Sequence, residues 1–191
     1  VSLPIADVLR KDYPEVKYVA ESDWMGEHDL LVGNKKLYMS GAAIGSDFLK
    51  MFQYPLIKGN ANSVLKDAYS IVLTESTARA LFGDTDPMDK SVRIDNKHDL
   101  KVTGIMKDVP QNSSLQFNFL LPFSYNEQTQ DWMKGARTTY YNNSFQMFVQ
   151  LRDNANYAQL APKIRNIVYK GGPQMRPAKP IVLLHPLKYW H

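Results

Sequence analysis

Four histidines, His28, His98, His185 and His191, are the side chains of this 191-residue protein best suited to moving a proton near neutral pH or to holding a metal. No two of them stand at the spacing of a metal-binding pair. His98 falls between Asp95 and Asp99 at what reads as a hairpin tip, where a solvated turn accounts for the acids. Asp84, Asp86 and Asp89 begin like a calcium loop, but the central Gly and the terminal bidentate Glu are missing and Pro87 interrupts the run. The chain has no G-x-S-x-G elbow, no P-loop and no G-x-G-x-x-G turn. The absence of cysteine removes disulfides and thiolate zinc sites. Asn112-Ser-Ser114 and Asn142-Asn-Ser144 match the glycosylation acceptor pattern, which matters only on a eukaryotic secretory route. The expectation is therefore no catalytic set, no metal, no cofactor and no enzyme. A hydrolase with a dispersed triad about His28, His98 or His185 is the catalytic alternative.

Recognition is the other chemistry open to the chain. Trp132, Tyr140 and Tyr141 lie in a stretch with little periodicity, and exposed aromatics there would form a partner or substrate surface. The net charge of +4 is spread among acids along most of the sequence. Lys163, Arg165 and Lys170 are spaced for a helix flank and not for one dense basic face, so nucleic acid is not an expected partner. No apolar run approaches the roughly 20 residues of a membrane span.

These side chains must be held by elements that the periodicity outlines. Residues 1–13 predict a helix capped by Ser2 and ended by Pro14. Residues 15–24 predict a strand with Val16, Tyr18 and Ala20 on one face. Asp29–Val32 and Lys36–Ala43 read as a hairpin about Gly33-Asn34-Lys35, followed by a short apolar helix from Ser46 to Phe52 and a loop from Pro55 to Lys66. Ser70–Leu73 reads as a buried strand. Thr74 then caps a helix that buries Ala78, Leu81 and Phe82 and stops at Gly83. Val92–Ile94 and Leu100–Met106 form a second hairpin about residues 95–99. Leu115–Phe123 predicts a strand with Phe117, Phe119 and Leu121 together, and Gln128–Met133 a helical turn before a loop through Asn143. Ser144–Arg152 predicts a strand, residues 156–169 a helix capped by Asn156 and disturbed by Pro162, and Ile181–Leu184 a last strand.

Three segments together resemble a known family: I-V-L-T-E-S-T-A-R-A-L-F-G-D-T-D-P-M-D-K, V-T-G-I-M-K-D-V-P-Q-N-S-S-L-Q-F-N-F-L, and F-L-K-M-F-Q-Y-P-L-I-K-G from Phe48 to Gly59. They are similar to the extracytoplasmic domain of MacB/FtsX-type ABC transporter permeases, closest to the Bacteroidetes branch. The family commonly has Gly where this chain has Asp89, and His-Leu-Gln-Phe-Asp where it has Ser114-Leu-Gln-Phe-Asn118. The resemblance implies an α+β fold, with a porter-like α/β subdomain built from both chain ends (1–43 and 144–191). A mixed, hairpin-rich, Sabre-like subdomain (44–143) would be inserted in it. It implies a segment on the periplasmic side of the inner membrane, flanked by membrane helices, in a permease dimer driven by a cytoplasmic ABC ATPase. It also implies work transmission to a periplasmic substrate or partner protein. A free-standing secreted or periplasmic binding module is the alternative.

Overall fold

The structure is a computed structural model and describes residues 1–190. Six strands form a closed ring. They are β2 (Gly26–Val32), β3 (Lys35–Ile44), β5 (Ser70–Thr74), β6 (Ser91–Ile94), β7 (His98–Met106) and β8 (Phe119–Pro122). Their order is β2-β6-β7-β5-β8-β3, and β3 returns to pair with β2, so this barrel leaves no edge of its own. The closure at the other side of β2 is short: only Leu30 and Leu31 pair with Ile94 and Arg93. Alternate residues of every stave, among them Leu30, Ile71, Leu73, Ile94, Val102 and Phe119, fill one apolar cluster. Helix α3 (Glu75–Phe82) adds Ala78 and Leu81 to it.

Gly41 on β3 lies opposite Phe119 on the parallel neighbour β8. A Cβ at Gly41 would come within 2.3 Å of the Phe119 ring, which is fully buried. The ring therefore lies over Gly41 on the inner face of the barrel, in the space a side chain there would take. The second hairpin turns through Asp95 and Asn96, both with positive φ, as a tight right-twisting turn requires. Asp89 also has positive φ, 61°, the backbone state in which glycine is favoured.

A second body packs beside the barrel. Strand β1 (Val16–Ser22) pairs with β9 (Gln146–Leu151), and helices α1 (Pro4–Asp12), α5 (Tyr157–Ile164) and α6 (Ile167–Gly171) cover one face of that ribbon. Between β1 and the barrel there is a single strand pair, Ser22 with Ile44. β2 and β3 are barrel staves because each finds its second neighbour among strands of the middle segment. The short helix α2 (Phe48–Met51) packs Phe48 against Phe52, Phe117 and Phe148, joining the outer wall of the barrel to the ribbon.

Several local expectations change. Leu3 stands at the N-cap of α1, and the Ser2 hydroxyl is buried without a partner. The α3 N-terminus is capped by a carboxylate from elsewhere: Asp108 accepts from the Ser76 backbone N–H at 3.0 Å, while Thr74 bonds Thr77. Ser46 does not cap α2, whose N-cap is Asp47. A bulge after Val16 turns that side chain to the helix-covered face, away from Ala20. Within the expected loop 55–66, Leu56–Lys58 forms strand β4 on β7. Residues 115–118 are not strand: Gln116 bonds the carbonyls of Pro110 and Ser113 and holds them in a loop, so Phe117 packs apart from Phe119 and Leu121. Pro122, which has no N–H to give, ends β8 and starts helix α4 (Phe123–Thr129). Asn156 caps α5 as expected, accepting from the Ala158 N–H, but the expected single helix breaks at Arg165-Asn166. Residues 181–184 are not a strand, because the Val182 N–H is taken by the Arg165 carbonyl at that break. No helix among the described residues is long and apolar enough to cross a membrane.

Replacing Gly41 by Ala is expected to lower stability by about 1–3 kcal/mol through overpacking against Phe119. Urea unfolding of the variant reads this, and an unchanged midpoint would show that the wall has room to give.

Candidate functional site

The two bodies meet around Glu21, the next-to-last residue of β1. Its carboxylate is 2% exposed. Arg10, one face of α1 away, grips both oxygens, at 2.9 Å from Nη1 and 2.7 Å from Nη2, and Nη2 also donates to the Val19 carbonyl at 2.8 Å. Arg137 approaches from the segment after α4, 3.3 Å from Glu21 Oε1, and binds Glu127 of α4 through Nε. The Gly45 N–H at the end of β3 donates to the Glu21 carbonyl at 2.7 Å. A methyl group on Gly45 would stand 2.6 Å from Glu21 Oε2, so the barrel wall approaches the carboxylate where only glycine fits. Burial works to raise the Glu21 pKa, but the Arg10 bonds and charge, with Arg137 behind them, hold it below the ordinary carboxylate value. These side chains line an open cleft of about 290 Å³ whose far wall carries Asp47 and Phe123.

Two residues on, Asp23 continues the joint. Its Oδ1 accepts from the Ala43 N–H of β3 at 2.8 Å and its Oδ2 from Asn126 of α4 at 2.7 Å. Desolvation raises its pKa to about 6, against the two hydrogen bonds and the charge of His28. Asn126 Oδ1 accepts from Gln130 Nε2 at 3.0 Å, and Gln130 Oε1 accepts from the Trp132 indole N–H at 2.7 Å. The direction of every bond in this chain is set by its ends, since an indole only donates and an ionised carboxylate only accepts. The chain runs from a buried acid at the joint to an exposed ring.

Trp132 is 54% exposed and stacks on Phe145, and Tyr141 is 59% exposed, so both are available to a partner. Tyr140 is 8% exposed and belongs to the core under α5 and α6; it cannot share that surface. The histidines are engaged singly. His28 Nδ1 lies 2.7 Å from Asp95, His98 Nδ1 lies 2.9 Å from the Tyr125 hydroxyl, and His185 meets the Tyr189 carbonyl. His191 lies outside the described residues. Among the described residues no group of three or more His, Cys, Asp or Glu is placed to hold a metal ion. Sequence reading missed Glu21, Asp23 and Arg10. The available signal was weak: a Glu in the apolar run Val19-Ala20-Glu21, where a solvent-facing strand position would not be followed by burial on both sides.

The family model described as MacB-like periplasmic core domain matches residues 1–167. The chain belongs to that family. It is thus a periplasmic domain of the MacB-like ABC transporter permease type. Solved structures agree in fold. A permease-protein domain from Porphyromonas gingivalis is 24% identical with TM-score 0.78, over 97% of this chain and 86% of that one. The periplasmic region of MacB from Actinobacillus actinomycetemcomitans is 20% identical with TM-score 0.68, over 90% of this chain and 75% of that one. The extracellular domain of the noncanonic ABC-type transporter YknZ from Gram-positive bacteria is 15% identical with TM-score 0.67, over 97% and 89%. Among curated proteins none matches.

For this MacB-like domain the Asp23–Trp132 chain gives a direct optical test. The folded-state pKa of Asp23 is above its ordinary 3.8, so the folded state takes up the proton first. Asp23 therefore favours folding least when ionised, and that cost grows as pH rises from 3.8 to about 6. Protonation also weakens the acceptor that anchors Asn126. With Trp24 and Trp190 replaced by Phe, Trp132 emission should titrate with a midpoint of about 6, and Asp23→Asn should abolish that transition. An identical titration in the variant would detach Trp132 from Asp23.

Proposed function

We propose that this domain is the extracytoplasmic part of an ABC permease that couples ATP hydrolysis by a cytoplasmic ATPase to the handling of a substrate or partner protein in the periplasm. The observation that carries the reading is the family match over residues 1–167. The architecture supports it. The barrel and the ribbon body each have a core of their own, and they are joined by one strand pair, an apolar cluster that includes Phe48 and Phe148, and the buried carboxylates Glu21 and Asp23. Bodies built this way move as units about a joint. We place the boundary of the inserted body near residues 22–26, where β1 leaves the ribbon.

Trp132 and Tyr141 are the surface we assign to the periplasmic partner or substrate. The ATPase acts through the permease and not on this domain, and the working assembly is a permease dimer.

The test is the location of the full-length gene product. It should sediment with the inner membrane, and an epitope tag placed at the exposed turn residue Asn34 should be open to protease only from the periplasmic side. Recovery as a soluble protein on osmotic shock would contradict the permease reading and favour a free-standing binding module.

A further inference from the structure

The charge of the chain is not evenly divided. Residues 154–191 hold six cations, Lys163, Arg165, Lys170, Arg176, Lys179 and Lys188, and no Asp or Glu. The other residues hold 17 Lys and Arg against 19 Asp and Glu. One of the six cations is spent internally, since Lys163 pairs with Glu15. The remaining five have no acid on their own segment.

The same segment exposes apolar side chains, and its packing says why. Residues 181–184 run extended across the α5–α6 break, tied by the Val182 N–H to Arg165 O at 2.9 Å and by the Tyr157 hydroxyl to Leu184 O at 2.8 Å. Val182 and Leu184 turn inward onto the core of the ribbon body. Their period-two partners, Ile181 and Leu183, turn outward and are 46% and 70% exposed. Beside them the Arg176 guanidinium lies over the Tyr169 ring at 5.5 Å, and Lys188 lies over Tyr189 at 4.7 Å. The backbone contact of Val182 with Arg165 sets the aliphatic pair beside the helix cations.

We propose that this cation-rich face, on which Glu15 answers Lys163, rests on an anionic lipid surface, with the other cations at the headgroups and Ile181, Leu183 and the tyrosines at the interface. Charge complementarity selects the occupant: unpaired Lys and Arg are drawn to anionic headgroups, and amphipathic aromatic and aliphatic side chains settle at the boundary between headgroup and acyl chain. An acidic protein would satisfy the cations but would give no reason for outward aliphatic side chains beside them. The proposal deepens the permease reading by naming the side of the domain that faces the bilayer. The two can fail separately, because vesicle binding is read on this chain without a transporter.

Flotation of the 191-residue chain with vesicles is the test. Phosphatidylglycerol vesicles should carry the chain up the gradient and phosphatidylcholine vesicles should not. Raising the salt from about 0.05 M to about 0.5 M should weaken binding at least roughly tenfold, as the Debye length shrinks. Arg176→Glu with Lys179→Glu should lower the partition on the order of a hundredfold, from two reversed charges near the surface. Ile181→Ser with Leu183→Ser should lower it by a smaller factor that salt does not change. Equal binding to both lipids, no binding to phosphatidylglycerol at low salt, or binding indifferent to the charge reversal would overturn the proposal. So would competition by soluble polyglutamate as effective as the vesicles combined with a silent aliphatic variant, which would make the face a dock for an acidic protein.

Discussion

A carboxylate taken out of water needs a partner fixed within hydrogen-bond reach, and Glu21 has one in Arg10 and a second in Arg137. That requirement orders much of the molecule. Arg10 must sit on the α1 turn that faces β1, so α1 is clamped to the ribbon. Arg137 must arrive from beyond α4, so the connection between barrel and ribbon folds back over the joint. Gly45 must lack a side chain, so the end of β3 can close on the Glu21 backbone. Asp23 adds bonds to Ala43 and Asn126, and an apolar contact joins the bodies as well, where Phe148 meets Phe48 and Phe52 edge to face. The ionic cluster is therefore what defines one relative placement of the bodies, and its two arginines line the cleft.

Features that depend on neighbours in the chain were legible in the sequence. The Asn156 cap, the Gly83 stop with its positive φ, the two hairpins and the alternation of β9 follow from local backbone rules. Positions that needed a remote partner were not legible. Barrel closure rests on Leu30 meeting Ile94, and neither residue announces the other. Glu21 reads as a solvent-facing strand acid until Arg137, 116 residues away, is brought to it. Thr74 is a sound cap by type, yet Asp108 takes the duty because β7 delivers it to the α3 N-terminus. The stretch 115–118 has strand composition, but Gln116 offers the backbone a competing loop, and local side-chain bonds won. Of the aromatics proposed as a surface, Trp132 and Tyr141 differ from Tyr140 only through packing against α6, which composition cannot express.

The joint, the amide chain and the cation-rich face fall at three different places on the molecule. The joint ties ribbon to barrel. The chain from Asp23 through Asn126 and Gln130 reaches Trp132, so a change in the joint has a hydrogen-bonded route to an exposed aromatic ring. The cation-rich face lies across α5 and α6, on the helix-covered side of the ribbon. The first two share Asp23, and the third rests on contacts of its own.

The most direct test of the joint is a distance between the bodies. The chain has no cysteine, so Lys97→Cys at the barrel hairpin and Lys170→Cys on α6 provide two clean labelling sites. Double electron–electron resonance should give a narrow distance distribution with Glu21 intact, and a broadened one when Glu21→Gln is added with secondary structure unchanged. The same narrow distribution in the Glu21→Gln chain would show that the apolar contacts alone place the two bodies, and would contradict the claim that the buried carboxylate fixes their placement.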